Sequence, residues 1–440
     1  MIDSFADIFK VQDLKKKLGF SFLVLACYRI GTTVPLPGVD ATALRAFFAA
    51  QRGGIFAFLN MFSGGAMERL SVFALGIMPY INASIIMSLL QTSIPYLEKL
   101  SKEGGPGREK ITRITRYSTL VLGAVQGFGL TFWIQSMKAP TGESVLMFTG
   151  LGFRILLVLT MVTGTMLVMW FGEQITENGI GNGISLIIFT GIVAGFPAAL
   201  KNTFDLVRTQ EISFFVMLLI GAFMLAILAL TVFIEEAQRR IPIQYAQRIV
   251  GRKVYGGQST YLPLKVESSG VIAVIFAMAF MNFPLMVTQF FPDSAVFEKI
   301  KVFFQPGNIV YISIYAVLIV AFCYFYTSIT FDPKNIAENL KKSGGFIPGV
   351  RPGEQTALKI KDIMYRIILI GAVFVVFIAV LPMFLRGQLN MPFYFGGTAL
   401  LIVVGVALDT MGQIESQLIM RHYDGFLKKS RLRGRYFNIK

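Results

Sequence analysis

Apolar runs long enough to cross a bilayer recur along the whole chain, and the connections between them alternate between strongly basic and nearly bare. Ten such runs lie near residues 18–35, 71–92, 117–137, 151–171, 184–200, 212–234, 271–291, 309–330, 365–385 and 394–412. At 1.5 Å of rise per residue, a helix of about 20 residues covers the ~30 Å hydrocarbon core. Length alone, 440 residues, suggests several soluble domains. The runs override that prior and predict an all-α membrane protein with ten spans. The first run follows Lys15, Lys16 and Lys17 but leads straight to Arg29 and Pro35 with no small-residue cleavage site, so it reads as a retained span.

Charge sets the orientation. One set of connections holds Lys10 and Lys15–Lys17, then Lys99 to Arg116. It continues with Arg239, Arg240, Arg248, Arg252, Lys253 and Lys265 in loop 235–268, and Lys334, Lys341, Lys342 and Arg351 in loop 331–364. The tail from Arg421 to Lys440 belongs to it as well. Roughly three quarters of the 41 Lys and Arg residues fall on this side, which makes it cytoplasmic, with both termini inside. Ten spans divide into five and five. An odd half-number inserts the second half with opposite polarity, the layout of an inverted repeat. The expected halves are 1–210, with five spans and a short apolar segment at 55–70, and 211–440, with five spans, the two long loops and a basic tail at 413–440.

The span interiors exclude several functions. Glu173, Glu235, Glu236 and Asp409 fall near span ends, so no mid-depth carboxylate stands ready to couple an ion. The same lack removes the acid–base and metal machinery of an intramembrane enzyme. Arg29, in the outer third of the first run, reads as a snorkelling cation. Cys27 and Cys323 read as buried small hydrophobes, and with a single histidine, His422, no metal site is expected. Gly179, Gly181 and Gly183 lack the preceding strand that a dinucleotide site requires.

Two other features remain. Residues 55–70 are apolar but too short to span, and on physics alone fit either an interfacial helix or a re-entrant piece packed inside the protein. Gly64 and Gly65 permit a sharp bend there, and Pro79 is placed to kink the second span. Asn82, Ser88, Gln126 and Asn282 put amide and hydroxyl groups inside spans, suited to interhelical hydrogen bonding or to helices that must sometimes separate. The basic loops suit anionic lipid, and their length favours protein or RNA docking.

MFSGGA at 61–66, ALGIMPYINASI at 74–85, GEQITENGIGNGIS at 172–185, QSTYLPLKV at 258–266, NLKKSGGFIPGVRPGEQT at 339–356 and PFYFGGTALLIVV at 392–404 resemble, in the same order, the SecY/Sec61-alpha family of protein-conducting channels. The resemblance implies two five-helix halves around an hourglass pore, and a channel without enzymatic activity or cofactor. It threads unfolded preproteins across the membrane and releases apolar segments sideways. It implies a waist ring at Ile77, Ile81, Ile184, Ile188, Ile275 and Ile402. The two i,i+4 pairs among these face one way on a helix, and a β-branched apolar ring excludes water. It implies a plug including Ile55, Phe56, Phe58, Leu59, Asn60, Met61, Phe62, Ser63, Gly64 and Gly65. A lateral gate would run between spans two and three and spans seven and eight, with Asn82, Ser88, Gln126, Asn282 and Phe283. Arg239, Arg240, Arg248, Arg252, Lys253, Lys341, Lys342 and Arg351 would form the platform for a SecA ATPase or a ribosome, through its rRNA and proteins. Signal peptides, SecE-like and SecG-like subunits and a bacterial inner membrane complete the expectation. The competing classes are a secondary transporter of a small solute and a membrane scaffold or insertase without a pore.

Overall fold

The protein is described by a computed structural model. The structure describes residues 11–40, 42–44, 47, 63–136, 145–148, 150–210, 213–245, 248–250, 253–255, 259–267, 269–288, 303–304, 308–389 and 397–429.

Among the described residues, ten long helices follow the ten apolar runs in order. They are α1 (Gln12–Gly31), α2 (Met78–Ser93), α4 (Gly105–Ser136), α5 (Leu151–Asn178), α6 (Gly183–Arg208), α7 (Phe214–Glu235), α8 (Gly270–Thr288), α9 (Ile309–Thr330), α11 (Glu354–Leu389) and α12 (Gly397–Lys429). Two short helices, α3 (Pro95–Lys102) and α10 (Pro333–Lys342), lie in basic connections. Seven helices are long and apolar enough to cross a membrane by length and composition. Large apolar side chains face outward: α7 exposes Phe214, Phe215, Leu218, Leu225 and Phe233 and buries little beyond Ile220, Ile227 and Thr231. A face this greasy and uncovered belongs in lipid.

Several helices outrun the apolar segments, because charged turns extend them beyond the hydrocarbon. α4 starts at Gly105 rather than near 117, and α12 continues to Lys429. The second span differs in kind. Residues 71–77, expected to be helical, form turns, and α2 begins only at Met78. Pro79 therefore stands in the first turn of the helix, where its missing N–H costs nothing, and does not kink it. The 16 residues of α2 rise only about 24 Å. The buried turns of 63–77 make up the rest of that depth.

The long loops fold as well. In 235–268, β1 (Gln238–Tyr245) pairs antiparallel with β4 (Ser259–Lys265), and β2 (Arg248–Val250) pairs with β3 (Lys253–Tyr255). β5 (Gly345–Phe346), from the other loop, joins β1 through Gln244 and Tyr245, so one sheet ordered β4-β1-β5 ties the two loops together. Ile241 and Ile243 point into the core while their neighbours on β1 face water, the period-two alternation of a half-buried strand.

One continuous apolar core runs through the bundle. It includes Tyr28 of α1, Ile81 of α2, Ile188 of α6, Ala277 of α8, Ile319 of α9, Ile378 of α11 and Ile402 of α12. A second cluster, with Leu36, Leu44, Met67, Leu70, Leu130, Ile134, Leu146 and Leu157, gathers the connections after α1 and α4. There the connections are stitched by Leu36 N–H donating to Leu70 O at 2.8 Å and Val72 N–H to Val34 O at 2.9 Å.

Candidate conducting path and cytoplasmic platform

The residues expected at the waist all belong to the central core or pack against it. Ile77, Ile81, Ile188 and Ile402 are buried in the central core, and Ile184 and Ile275 are partly buried against it. They come from different elements: the cap and first turn of α2, the start of α6, α8 and α12. α6 is placed by its N-cap, where Asn182 Oδ1 accepts from Ile184 N–H at 3.1 Å and from Ser185 N–H at 3.3 Å.

The turns of residues 63–77 contribute Ala66, Phe73 and Ile77 to the same core. Of the expected plug, residues 55–62 lie outside the described residues, and Ser63, Gly64 and Gly65 are described. Gly64 and Gly65 have φ of +65° and +86°, the left-handed conformations that glycine adopts without strain. A Cβ on Gly64 would also meet the Cα of Gly191, on α6, at 3.0 Å. The described part of this segment is therefore inside the protein and not at the interface. That position is open to irregular backbone because protein, not lipid, surrounds it.

Its base is held from α1. Tyr28 donates its hydroxyl to Ser63 O at 3.3 Å, and Arg29 Nη1 donates to Gly64 O. Arg29 thus reaches into the protein rather than snorkelling outward, because a carbonyl freed by the turn offers it a nearer acceptor than water. Ser63 Oγ accepts from Met67 N–H at 3.1 Å and closes the turn.

The expected gate residues lie on α2, α4 and α8, and α8 packs against both α2 and α4. Gln126 on α4 and Asn282 on α8 are buried; Asn82 and Ser88 on α2 are half-buried; Phe283 is 59% exposed. Ser88 turns its hydroxyl back to Ser84 O at 2.9 Å. Asn282 Nδ2 is buried without a hydrogen-bond partner among the described residues, a costly arrangement in a folded core.

Other signals were missed in the sequence. Arg116 on α4 forms two bonds to Glu173 on α5, Nε to Oε1 at 2.9 Å and Nη2 to Oε2 at 2.9 Å. This bidentate geometry does more than orient the chain: it fixes two helices side by side. The glycine run at 179–183 is a tight junction. Ser21 Oγ accepts from Ile180 N–H at 3.1 Å, Gln413 Oε1 from Gly181 N–H at 3.0 Å, and Thr176 Oγ1 from Gly183 N–H at 2.9 Å. A Cβ on Gly183 would overlap the Gly172 carbonyl oxygen, which accounts for the smallest residue there. Cys27 is exposed on α1, contrary to expectation, whereas Cys323 is buried; both are free thiols.

In the two basic loops, Arg239 and Arg240 are exposed on β1, Lys341 and Lys342 in the last turn of α10, and Arg351 in the turn leading to α11. β1–β5 pairing joins the two loops that carry all five. The strands β2 and β3 carry Arg248 and Lys253, while Arg252 lies outside the described residues. Lys102 at the end of α3 bonds Glu98 at 2.6 Å; that hydrogen bond holds the Glu98 carboxyl below its ordinary range and lifts Lys102 above its own. Among the described residues no cluster of His, Cys, Asp and Glu is arranged to hold a metal.

The fold and the chain both have close relatives. The SecY family model matches residues 71–411. The protein translocase subunit SecY of Escherichia coli (strain K12) is 47% identical over 425 residues, covering 96% of each chain. That of Aquifex aeolicus is 47% identical, covering 96% of this chain and 98% of the relative, and that of Thermus thermophilus is 45% identical, covering 99% and 100%. Among solved structures, a protein-conducting channel superposes with TM-score 0.66 at 21% identity, covering 92% of this chain and 93% of that one. Sec61 in a canine ribosome-channel complex superposes with TM-score 0.61 at 19% identity, covering 92% and 93%. With membrane-length helices, this architecture and relatives alike over nearly their whole length, the chain is a multi-pass membrane protein that belongs to the SecY family.

Proposed function

We propose that the chain is the channel-forming subunit of a protein translocase. It provides a passive path for unfolded secretory polypeptides and lets apolar segments leave sideways into lipid. The observation that supports this reading is that Ile77, Ile81, Ile188 and Ile402 are buried in one apolar core, with Ile184 and Ile275 packed against it, and that the turns from Ser63 contribute Ala66 and Phe73 to the same core. An uncharged constriction of branched side chains excludes water and ions when closed, yet makes no specific demand on the sequence that passes.

Residues 1–210 and 211–440 act as two halves. Residues 55–70 act as the plug, and α2 and α4 part from α8 and α9 as the gate. The exposed bases Arg239, Arg240, Lys341, Lys342 and Arg351, with Arg248, Arg252 and Lys253, receive a motor ATPase or a ribosome, whose acidic side chains and phosphates suit the planar fork of arginine. The canine relative's place in a ribosome-channel complex supports the second partner. Small single-span companions of the SecE and SecG type, signal peptides and anionic lipids are the remaining partners. The bacterial inner membrane is the location, with both termini cytoplasmic, supported by the basic excess on that side.

The test is conductance. Ile77, Ile81, Ile188 and Ile402 replaced together by Ser should raise ion leak through the reconstituted complex in a planar bilayer by at least roughly tenfold. Unchanged conductance would remove the seal from these residues.

A further inference from the structure

A cavity of about 300 Å³ opens between the cytoplasmic ends of α9 and α11 and the start of α10, away from the isoleucine cluster. Its walls divide by chemistry. The floor is Phe331, Ala357, Met364 and Ile368, of which the last three are buried. The rim carries Asp332, Lys334, Glu354 and Lys361, all exposed. The division coincides with the change of medium along both helices. α9 has no charged residue from Ile309 to Thr330, with Asp332 two residues beyond it, and α11 has none from Ile367 to Leu385, with Lys359, Lys361 and Arg366 before that. The cavity therefore straddles the boundary between hydrocarbon and headgroups. Tyr365 marks the same level. It is 41% exposed, its backbone carbonyl accepts from the Tyr324 hydroxyl at 3.1 Å, and Lys361 Nζ stands 5.5 Å over its ring. Interfacial tyrosines occupy this depth in membrane proteins.

The rim pairs two bases with two acids, so it offers no net attraction to an anion. It matches a ligand that carries one charge of each sign. The Asp332 side chain is fixed at the N-terminus of α10, accepting from Lys334 N–H at 3.0 Å and Asn335 N–H at 3.3 Å. We propose that this cavity binds one zwitterionic phospholipid of the phosphatidylethanolamine class. Its phosphate lies against Lys334 and Lys361, its ammonium against Glu354 and Asp332, and its glycerol and upper acyl carbons on the Met364–Ile368 floor. The volume lies at the lower end of small-ligand pockets, enough for a headgroup and the chain roots but not for a whole lipid.

The experiment uses the intact complex, reconstituted in nanodiscs of equal parts phosphatidylethanolamine, phosphatidylcholine and phosphatidylglycerol, then released for native mass spectrometry. The expected result is one retained phosphatidylethanolamine in at least about threefold excess over phosphatidylcholine. Of two exposed positions, Glu354→Ala should bring that ratio to parity, whereas Lys361→Ala, which removes a contact to the phosphate common to all three lipids, should lower the retention of each. Equal retention of the three lipids, or a ratio indifferent to Glu354→Ala, overturns the proposal. So does selective retention of phosphatidylglycerol that survives Glu354→Ala, which would make the site anion-selective. Cross-linking of Leu358→Cys to a companion subunit's helix, with no retained lipid, assigns the cavity to protein and also overturns it.

Discussion

The contact of α8 with α2 and α4 and the contact of α6 with α1 and α12 help close the same bundle, yet they are built on different chemistry. The second is cross-tied: Gly181 N–H reaches Gln413 of α12, Ile180 N–H reaches Ser21 of α1, and glycine lets the α5–α6 junction close without side chains between. In the first, α8 carries Asn282, whose Nδ2 is buried with no hydrogen-bond partner among the described residues. Parting an unsatisfied amide from an apolar neighbour releases an unfavourable group to a new acceptor, whereas parting Gly181 from Gln413 loses a bond already made. We therefore expect the α8 seam to open at lower cost and the α6–α12 seam to hold.

The sharpest way to break this contrast is covalent. With Cys27 and Cys323 first changed to Ser, cysteine pairs joining α2 to α8 should abolish transport of a secretory precursor into vesicles on oxidation. Pairs joining α6 to α12 should leave it largely intact. Equal block by both sets would show that both seams move. Next in size is Gly183→Val. Its side chain would collide with the Gly172 carbonyl and force α5 from α6, a cost of about 1–3 kcal/mol or more. The thermal midpoint of the purified complex should fall clearly, while Gly195→Val on the same helix, where a Cβ meets open space, should move it little.

How much of this contrast was legible in the sequence depends on the kind of signal. Hydropathy and charge carried the ten helices and their alternation, because burial in lipid is written residue by residue. The isoleucines and the gate amides were found through motifs, and the structure places them on the elements expected. The sheet was not foreseen: Pro242 and Pro263 argue against strands, and they are tolerated because β5 pairs with β1 only beyond Pro242 and β4 is an edge. Nor was the late start of α2 visible, since an apolar stretch buried as turns has the same hydropathy as one buried as helix. Arg29, Arg116 and Glu173 each read as local features, yet each is fixed by a partner at least 35 residues away. Such pairing has no signature in a single sequence.

Asn282→Leu tests the opening seam directly. Replacing an unsatisfied buried amide by an apolar side chain of similar shape should stabilise the closed contact by about 1–3 kcal/mol. The thermal midpoint should rise and the initial rate of precursor transport should fall, by up to roughly tenfold. A lower midpoint would mean that the amide has a partner and that this seam is as well bonded as the other.

The smallest effect is expected at the holding seam. Gln413→Ala removes the acceptor of Gly181 N–H, and a single neutral hydrogen bond contributes about 0.5–1.5 kcal/mol net. Its loss should lower the midpoint slightly while the transport rate stays near that of the parent chain, since the rest of the junction, Asn182 capping α6 and Ser21 on Ile180, remains. The two substitutions then move stability in opposite directions, and only the one on α8 moves rate. If Gln413→Ala instead accelerates transport as strongly as Asn282→Leu slows it, the opening motion turns on α12 as well as α8. The difference between the seams would then be one of degree rather than of role.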